Sequence, residues 1–151
     1  MIEENYEQYD SFIVIHGTDT LAYTASALSF MLENLGKTVV LTGAQIPLCE
    51  IRNDAESNLI GALLVAGIVV TPLLINIEYV IPEVLIYFNN TLLRGNRSQK
   101  EDSYRLRAFD SPNYPHLAEF DVVLKFQQSL VLPPPPKNST FSVFKVGGIF
   151  G

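Results

Sequence analysis

SFIVIHGTDTLAYTASALSFMLENLGKTVVLTG, residues Ser11 to Gly43, carries the pattern from which the fold follows. Ser11 to Ile15 is rich in branched and aromatic residues and does not alternate, the appearance of a strand buried on both faces of a parallel sheet. Asp19 or Thr20 can cap a helix on which Leu21, Ala25, Leu28, Leu32 and Leu35 recur at helical spacing, with Gly36 as its stop. TVVLTG then forms a second buried run ending at Gly43. The order is strand, helix, strand with short connections.

Outward from that unit the alternation continues. Asn53 to Ser57, NDAES, offers caps and favourable first-turn charge for a helix through Leu59, Ile60, Leu63 and Leu64. Val84 to Phe88 reads as a further strand, TLLRGNRSQK from Thr91 to Lys100 as a turn and loop leaving it, and SPNYPHLAEF from Ser111 as irregular. Alternating elements of this kind predict a three-layer, Rossmann- or flavodoxin-like α/β fold, a parallel sheet flanked by helices. The α/β domain is expected over 8–131, with a Pro-rich linker and a short terminal segment over 132–151, where PPPP spans Pro133 to Pro136.

Composition narrows the function. A net charge of −6 and a pI near 4.8 leave no basic stripe to neutralise phosphates, so a nucleic acid is not an expected partner. Cys49 is the single cysteine, which excludes an internal disulfide and fits a reducing, cytoplasmic setting. The acidic start MIEENYEQYD is unlike a targeting peptide. Asn58 to Ile77 is uncharged, yet Pro72 and two glycines interrupt it, so a buried helix with an apolar extension is preferred to a membrane span.

In open α/β sheets ligands sit beyond the carboxyl ends of the strands, where HGTDT and TGAQ both lie. Gly17 permits a sharp bend and close approach to the main chain. Thr18 and Asp19 place a hydroxyl and a carboxylate at a helix N-terminus, and a hydroxyl there attacks or activates water only with a base beside it. Read locally, both residues are caps, His16 is a hydrogen-bonded strand-end residue, and His116 lies at the surface. Lys100, within RSQKEDSYR, is a solvated loop lysine on the same local reading. Two histidines far apart do not suggest a metal site.

The combination says more than its parts. HGTDTLAYTASALSFMLENLGKTVVLTGAQIP resembles the type I, cytoplasmic-type L-asparaginases, and the likeness extends through NLIGALLVAG, VIPEVLIYFNNTLLRGNRSQK and AFDSPNYPHLAEF. That resemblance implies hydrolysis of L-asparagine to aspartate and ammonia, with no cofactor, no metal and no membrane, in homo-oligomers of complete relatives. It implies catalytic roles for Thr18, Asp19 and Lys100. Gly17 and Asp19 would hold the substrate's α-carboxylate and α-amino groups, Thr18 would also contact the substrate, and the Ala44 carbonyl would face the leaving amide.

Three departures qualify it. The family's glycine-rich TGGT-type loop, source of its usual nucleophile and of its first strand, has no counterpart before residue 8. An apolar stretch, IVVTPLLINI over 68–77, intervenes before VIPEV, and PPPP stands where the family runs toward a second domain. The expectation is therefore a partial asparaginase domain, weak or inactive alone, with a non-catalytic amino-acid-binding or subunit-pairing piece as the alternative. A phosphate-binding flavodoxin-like domain fits less well, because the first loop has one glycine where a phosphate cradle wants several.

Overall fold

The computed structural model describes residues 1–67 and 80–145. The apolar stretch over 68–77 and the final residues from 146 lie outside the described residues. Among the described residues no helix is long and apolar enough to cross a membrane.

A four-residue helix, α1 (Ile2–Asn5), precedes β1 (Ser11–Ile15), α2 (Leu21–Met31), β2 (Leu32–Glu33), β3 (Thr38–Thr42) and α3 (Ala55–Gly67). Then come β4 (Val84–Phe88), β5 (Thr91–Arg94), β6 (Gln99–Lys100), β7 (Phe109–Asp110), β8 (Ala118–Phe120), β9 (Leu124–Phe126) and β10 (Ser142–Val143). The main sheet has the order β1-β3-β4-β5-β8-β9. β1, β3 and β4 run parallel, with Ile13 opposite Val40 and Val40 opposite Leu85.

The period-two geometry of these strands divides their side chains between two cores. Val39, Leu41, Val84, Ile86 and Phe88 pack with Leu21 and Ala25 of α2, and Phe12 and Val14 join them. Val40, Leu85 and Tyr87 pack on the other face with Ala62, Val65 and Ala66 of α3. Helix, sheet and helix form the three layers of an α/β fold.

Several expectations need correction. The sheet is mixed, because β4 turns back through Asn89 and Asn90, both at positive φ (47° and 60°), into antiparallel β5. Two residues at positive φ form the tight turn that matches strand twist, so Thr91 to Arg94 is a strand and not a loop. β8 and β9 extend the sheet, so SPNYPHLAEF is only partly irregular.

The first strand is not sandwiched either. Among the described strands β1 pairs only with β3, and its residues are half-buried apart from exposed Ile15. α2 stops at Met31, short of the predicted Leu35, because β2 leaves the helix to pair antiparallel with β10. The Phe144 N–H donates to the Met31 carbonyl at 2.8 Å, and Asn34 takes a φ of 53°. The chain after the prolines thus folds back onto the body, where Phe141 stacks on Tyr6 with ring centres 3.6 Å apart.

Gly61 sets how closely α3 approaches the sheet. A Cβ at this position would lie 2.0 Å from carbons of the Tyr87 ring. Tyr87 is 2% exposed and wedged between α3 and Phe120, so the ring has little room to retreat. Gly61→Ala is accordingly expected to cost about 1–3 kcal/mol through overpacking, despite alanine's better helix propensity. Thermal unfolding followed by circular dichroism checks this, and an unchanged midpoint would show that the helix simply shifts.

Candidate functional site

The carboxyl ends of β1 and β3 are held together before any site residue is placed. The His16 N–H donates to the Thr42 carbonyl at 2.8 Å, which extends the ladder by one residue. A Cβ on Gly43 would sit 2.2 Å from the His16 carbonyl oxygen, so only glycine lets the two strand ends come this close. The Thr42 hydroxyl donates to the Tyr87 carbonyl at 2.8 Å and ties in the end of β4.

His16 braces the following loop. Its Nδ1 lies 2.8 Å from the Gly17 carbonyl oxygen, an acceptor only, which assigns the ring proton to Nδ1. In the neutral ring Nε2 then accepts from the Thr24 hydroxyl at 3.0 Å, on the first turns of α2. His16 is a strand-end residue that connects loop to helix, and Gly17 lies exposed at the bend.

Beyond this brace the structure brings Thr18, Asp19 and Lys100 together. Lys100 Nζ donates to Thr18 Oγ1 at 2.9 Å and to Asp19 Oδ1 at 2.8 Å, across more than 80 residues of sequence. The cap expectation is met in position but not in bonding. Thr20 occupies the N-cap of α2 without a side-chain capping bond, while the Asp19 carboxylate is turned to the lysine.

Lys100 reaches this position because β5 delivers the chain through a single 3-10 turn at Gly95–Arg97 to β6. There Lys100 pairs with Phe109 of β7, a buried residue that fixes the base of the lysine stem. The Lys100 side chain is 17% exposed and that of Asp19 is 94% exposed, so the pair sits at a rim with its cation on the inner side. The hydrogen bond from Lys100, followed by its charge, holds the Asp19 carboxyl below its ordinary value.

Ala44 lies half-buried in the turn after β3, and Asp54 governs that turn. The buried Asp54 carboxylate accepts from the Gln45 N–H at 3.1 Å and the Ile46 N–H at 2.9 Å. It also accepts from Asn58 Nδ2 at 3.1 Å. Of the acid-rich NDAES run, Asn53 does the capping, its Oδ1 accepting from the Ala55 N–H at 3.1 Å. Gln45 in turn donates from Nε2 to the Arg105 carbonyl at 3.1 Å, linking the turn to the loop that follows Lys100.

A second polar cluster was not legible in the sequence. His116, expected at the surface, is 17% exposed and bridges Asp110 at 2.7 Å and Glu119 at 3.2 Å. Burial pushes the Asp110 carboxyl up, but hydrogen bonds from His116 and the Ser111 N–H, with Arg107 nearby, hold it below its ordinary value. The spacing of His116 and Glu119, three apart, was the available signal. A separate cavity of about 290 Å³, lined by Glu83, Arg94, Asn96 and Pro133 among others, opens near the start of β4. That is the opposite end of the sheet from Thr18.

The structure thus defines a three-layer α/β domain with a hydroxyl, a carboxylate and an amine joined at the carboxyl ends of its parallel strands, the end at which open α/β sheets meet ligands. Comparison with known proteins gives its family. The asparaginase N-terminal family model matches residues 1–132, and the chain belongs to the asparaginase family. It is 51% identical over 134 residues to an L-asparaginase of Dirofilaria immitis, covering 89% of this chain and 21% of the relative. It is 52% identical over 130 residues to a 60 kDa lysophospholipase of Mus musculus, covering 86% of this chain and 21% of that protein. The crystal structure of L-asparaginase I from Vibrio cholerae superposes with a TM-score of 0.78 at 47% identity, covering 94% of this chain and 40% of that one. The chain thus spans about a fifth of the length of these two curated relatives.

Proposed function

We propose that these residues form part of an L-asparagine amide-hydrolysing site, in which Thr18, Asp19 and Lys100 are the catalytic group and Gly17 and Ala44 complete the ligand contacts. The observation that carries this reading is the convergence of Lys100 Nζ on Thr18 Oγ1 and Asp19 Oδ1. Amide hydrolysis needs a nucleophile, a route for protons and donors near the developing oxyanion. A lysine bonded to both a hydroxyl and a carboxylate can relay a proton between them, and in this reading the Asp19 carboxylate receives the ligand's α-ammonium group. Family membership supports amide chemistry, and two of the three named relatives carry the name L-asparaginase.

The 151 residues contain no glycine-and-threonine grouping that could serve as a second nucleophilic loop. The polypeptide alone is therefore proposed to bind L-asparagine and to hydrolyse it slowly or not at all. Calorimetry with L-asparagine, alongside ammonia release, tests both halves. Binding lost in Thr18→Ala, with ammonia near background, is the expected result. Rapid hydrolysis by the unmodified chain would overturn the incomplete-site half, and an absence of binding would overturn the site assignment. Release of fatty acid from a lysophospholipid, the reaction class suggested by the mouse relative's name, is expected to be absent.

A further inference from the structure

We infer that Asp54 and Asn58 are positioning residues that aim the Ala44 carbonyl and so set the preference for a side-chain amide over a carboxylate; this rests on the ligand site proposed above. The argument begins with the peptide plane. The described chain contains no cis peptide bond, so each carbonyl points opposite to the N–H of the same peptide unit. The Ala44 carbonyl shares its unit with the Gln45 N–H, which donates to both Asp54 carboxylate oxygens at 3.1 Å. Holding that N–H toward Asp54 therefore directs the Ala44 oxygen away from Asp54.

The preceding unit is held as well. The Gly43 carbonyl accepts from Asn58 Nδ2 at 2.9 Å, and the same Nδ2 donates to Asp54 at 3.1 Å. Asn58 is itself fixed, because its Oδ1 accepts from the Asn89 N–H at 2.9 Å. With the peptide planes on both sides of Ala44 pinned, its backbone has one orientation. Neither residue is spare: Asp54 is 7% exposed and Asn58 2%, and every polar atom of the two side chains is engaged in these bonds.

The consequence is chemical selectivity. A fixed carbonyl oxygen accepts from an amide NH₂ and repels a carboxylate, so a rigid Ala44 favours asparagine over aspartate. In Asp54→Asn, keeping the amide oxygen on Ile46 leaves the Gln45 N–H one acceptor of its two and turns the new NH₂ toward Asn58 Nδ2, where donor meets donor. Asn58 is displaced, the Gly43 carbonyl loses its donor and Gln45 loses one of its two acceptors, so the Ala44 backbone is loosened and the preference falls.

The test has two readouts on the full chain. Amide hydrogen exchange is expected to show Gln45 and Ile46 protected at least ~10-fold over the exposed positions Leu48 and Cys49, with that protection reduced in Asp54→Asn. Calorimetry with L-asparagine and L-aspartate is expected to show the affinity ratio reduced roughly tenfold in Asp54→Asn, the size of effect of a charged hydrogen bond. Unprotected Gln45 and Ile46 in the wild-type chain would overturn the clamp even if Asp54→Asn does not fold. An unchanged ratio in folded Asp54→Asn would overturn the selectivity role. Should the wild-type chain bind neither amino acid, the proposed ligand site fails and the selectivity role with it, whereas exchange still reads the clamp.

Discussion

Lys100→Met is expected to weaken L-asparagine binding by about 10–100-fold, the equivalent of losing about one charge-assisted hydrogen bond. Methionine keeps the apolar stem on its β6 position but leaves Thr18 Oγ1 and Asp19 Oδ1 without the donor that now joins them. The fold should be nearly indifferent. Asp19 is 94% exposed, and ion pairs with one solvated partner contribute little to stability. A large loss of ligand affinity with a small shift in melting temperature is thus the signature of a functional contact, and equal losses of both would show a structural lysine instead.

The same contact predicts a pH dependence. Lys100 lowers the Asp19 carboxyl through its hydrogen bond and then its charge, so the folded value lies below the unfolded one. Any stabilisation from the pair is therefore complete above the unfolded value and lost as pH falls through the depressed folded value. Ligand affinity in the wild-type chain should persist to lower pH than an ordinary aspartate would allow. In Lys100→Met the acid limb should move upward, and coincident limbs in the two proteins would break the assignment of that limb to Asp19.

How much of this was legible in the sequence follows from the range of each interaction. The β1-α2-β3 unit was readable because buried runs, helical spacing and a glycine stop are local signals. The mixed character of the sheet was not, because Asn89-Asn90 carries no glycine and the run after it looked like a departing loop. α2 ends four residues early for a non-local reason: β10, over a hundred residues later, captures β2. Thr18 and Asp19 were identifiable as candidates from their junction. Lys100 was not distinguishable from a solvated lysine without family resemblance, since its partners lie 81 and 82 residues away. Asp54 was misleading in another way, because a carboxylate before a helix looks like a cap when Asn53 supplies that bond.

The largest effect on stability is expected from Glu83→Ala, at about 3–5 kcal/mol, because it strands a buried guanidinium. Glu83 is 4% exposed and Arg94 9% exposed, and Arg94 donates to it from Nε at 2.6 Å and from Nη2 at 3.1 Å. Burial pulls the Arg94 value down, but the hydrogen bond and charge of Glu83 more than offset this, so the net direction is upward. The pair also joins separate parts of the fold. Glu83 accepts from the Leu132 N–H at 2.6 Å, Arg94 donates to the Leu130 carbonyl at 2.5 Å, and the guanidinium lies 4.5 Å from the Tyr114 ring centre. Since whole domains have stabilities of about 5–15 kcal/mol, such a loss would remove a large fraction of the total. Desolvation makes the converse prediction sharper. Glu83→Leu with Arg94→Met removes both charges at once and should cost far less than either single change to alanine. Urea denaturation of the four proteins gives the comparison directly, and additive losses in the double variant would mean that water already reaches the pair.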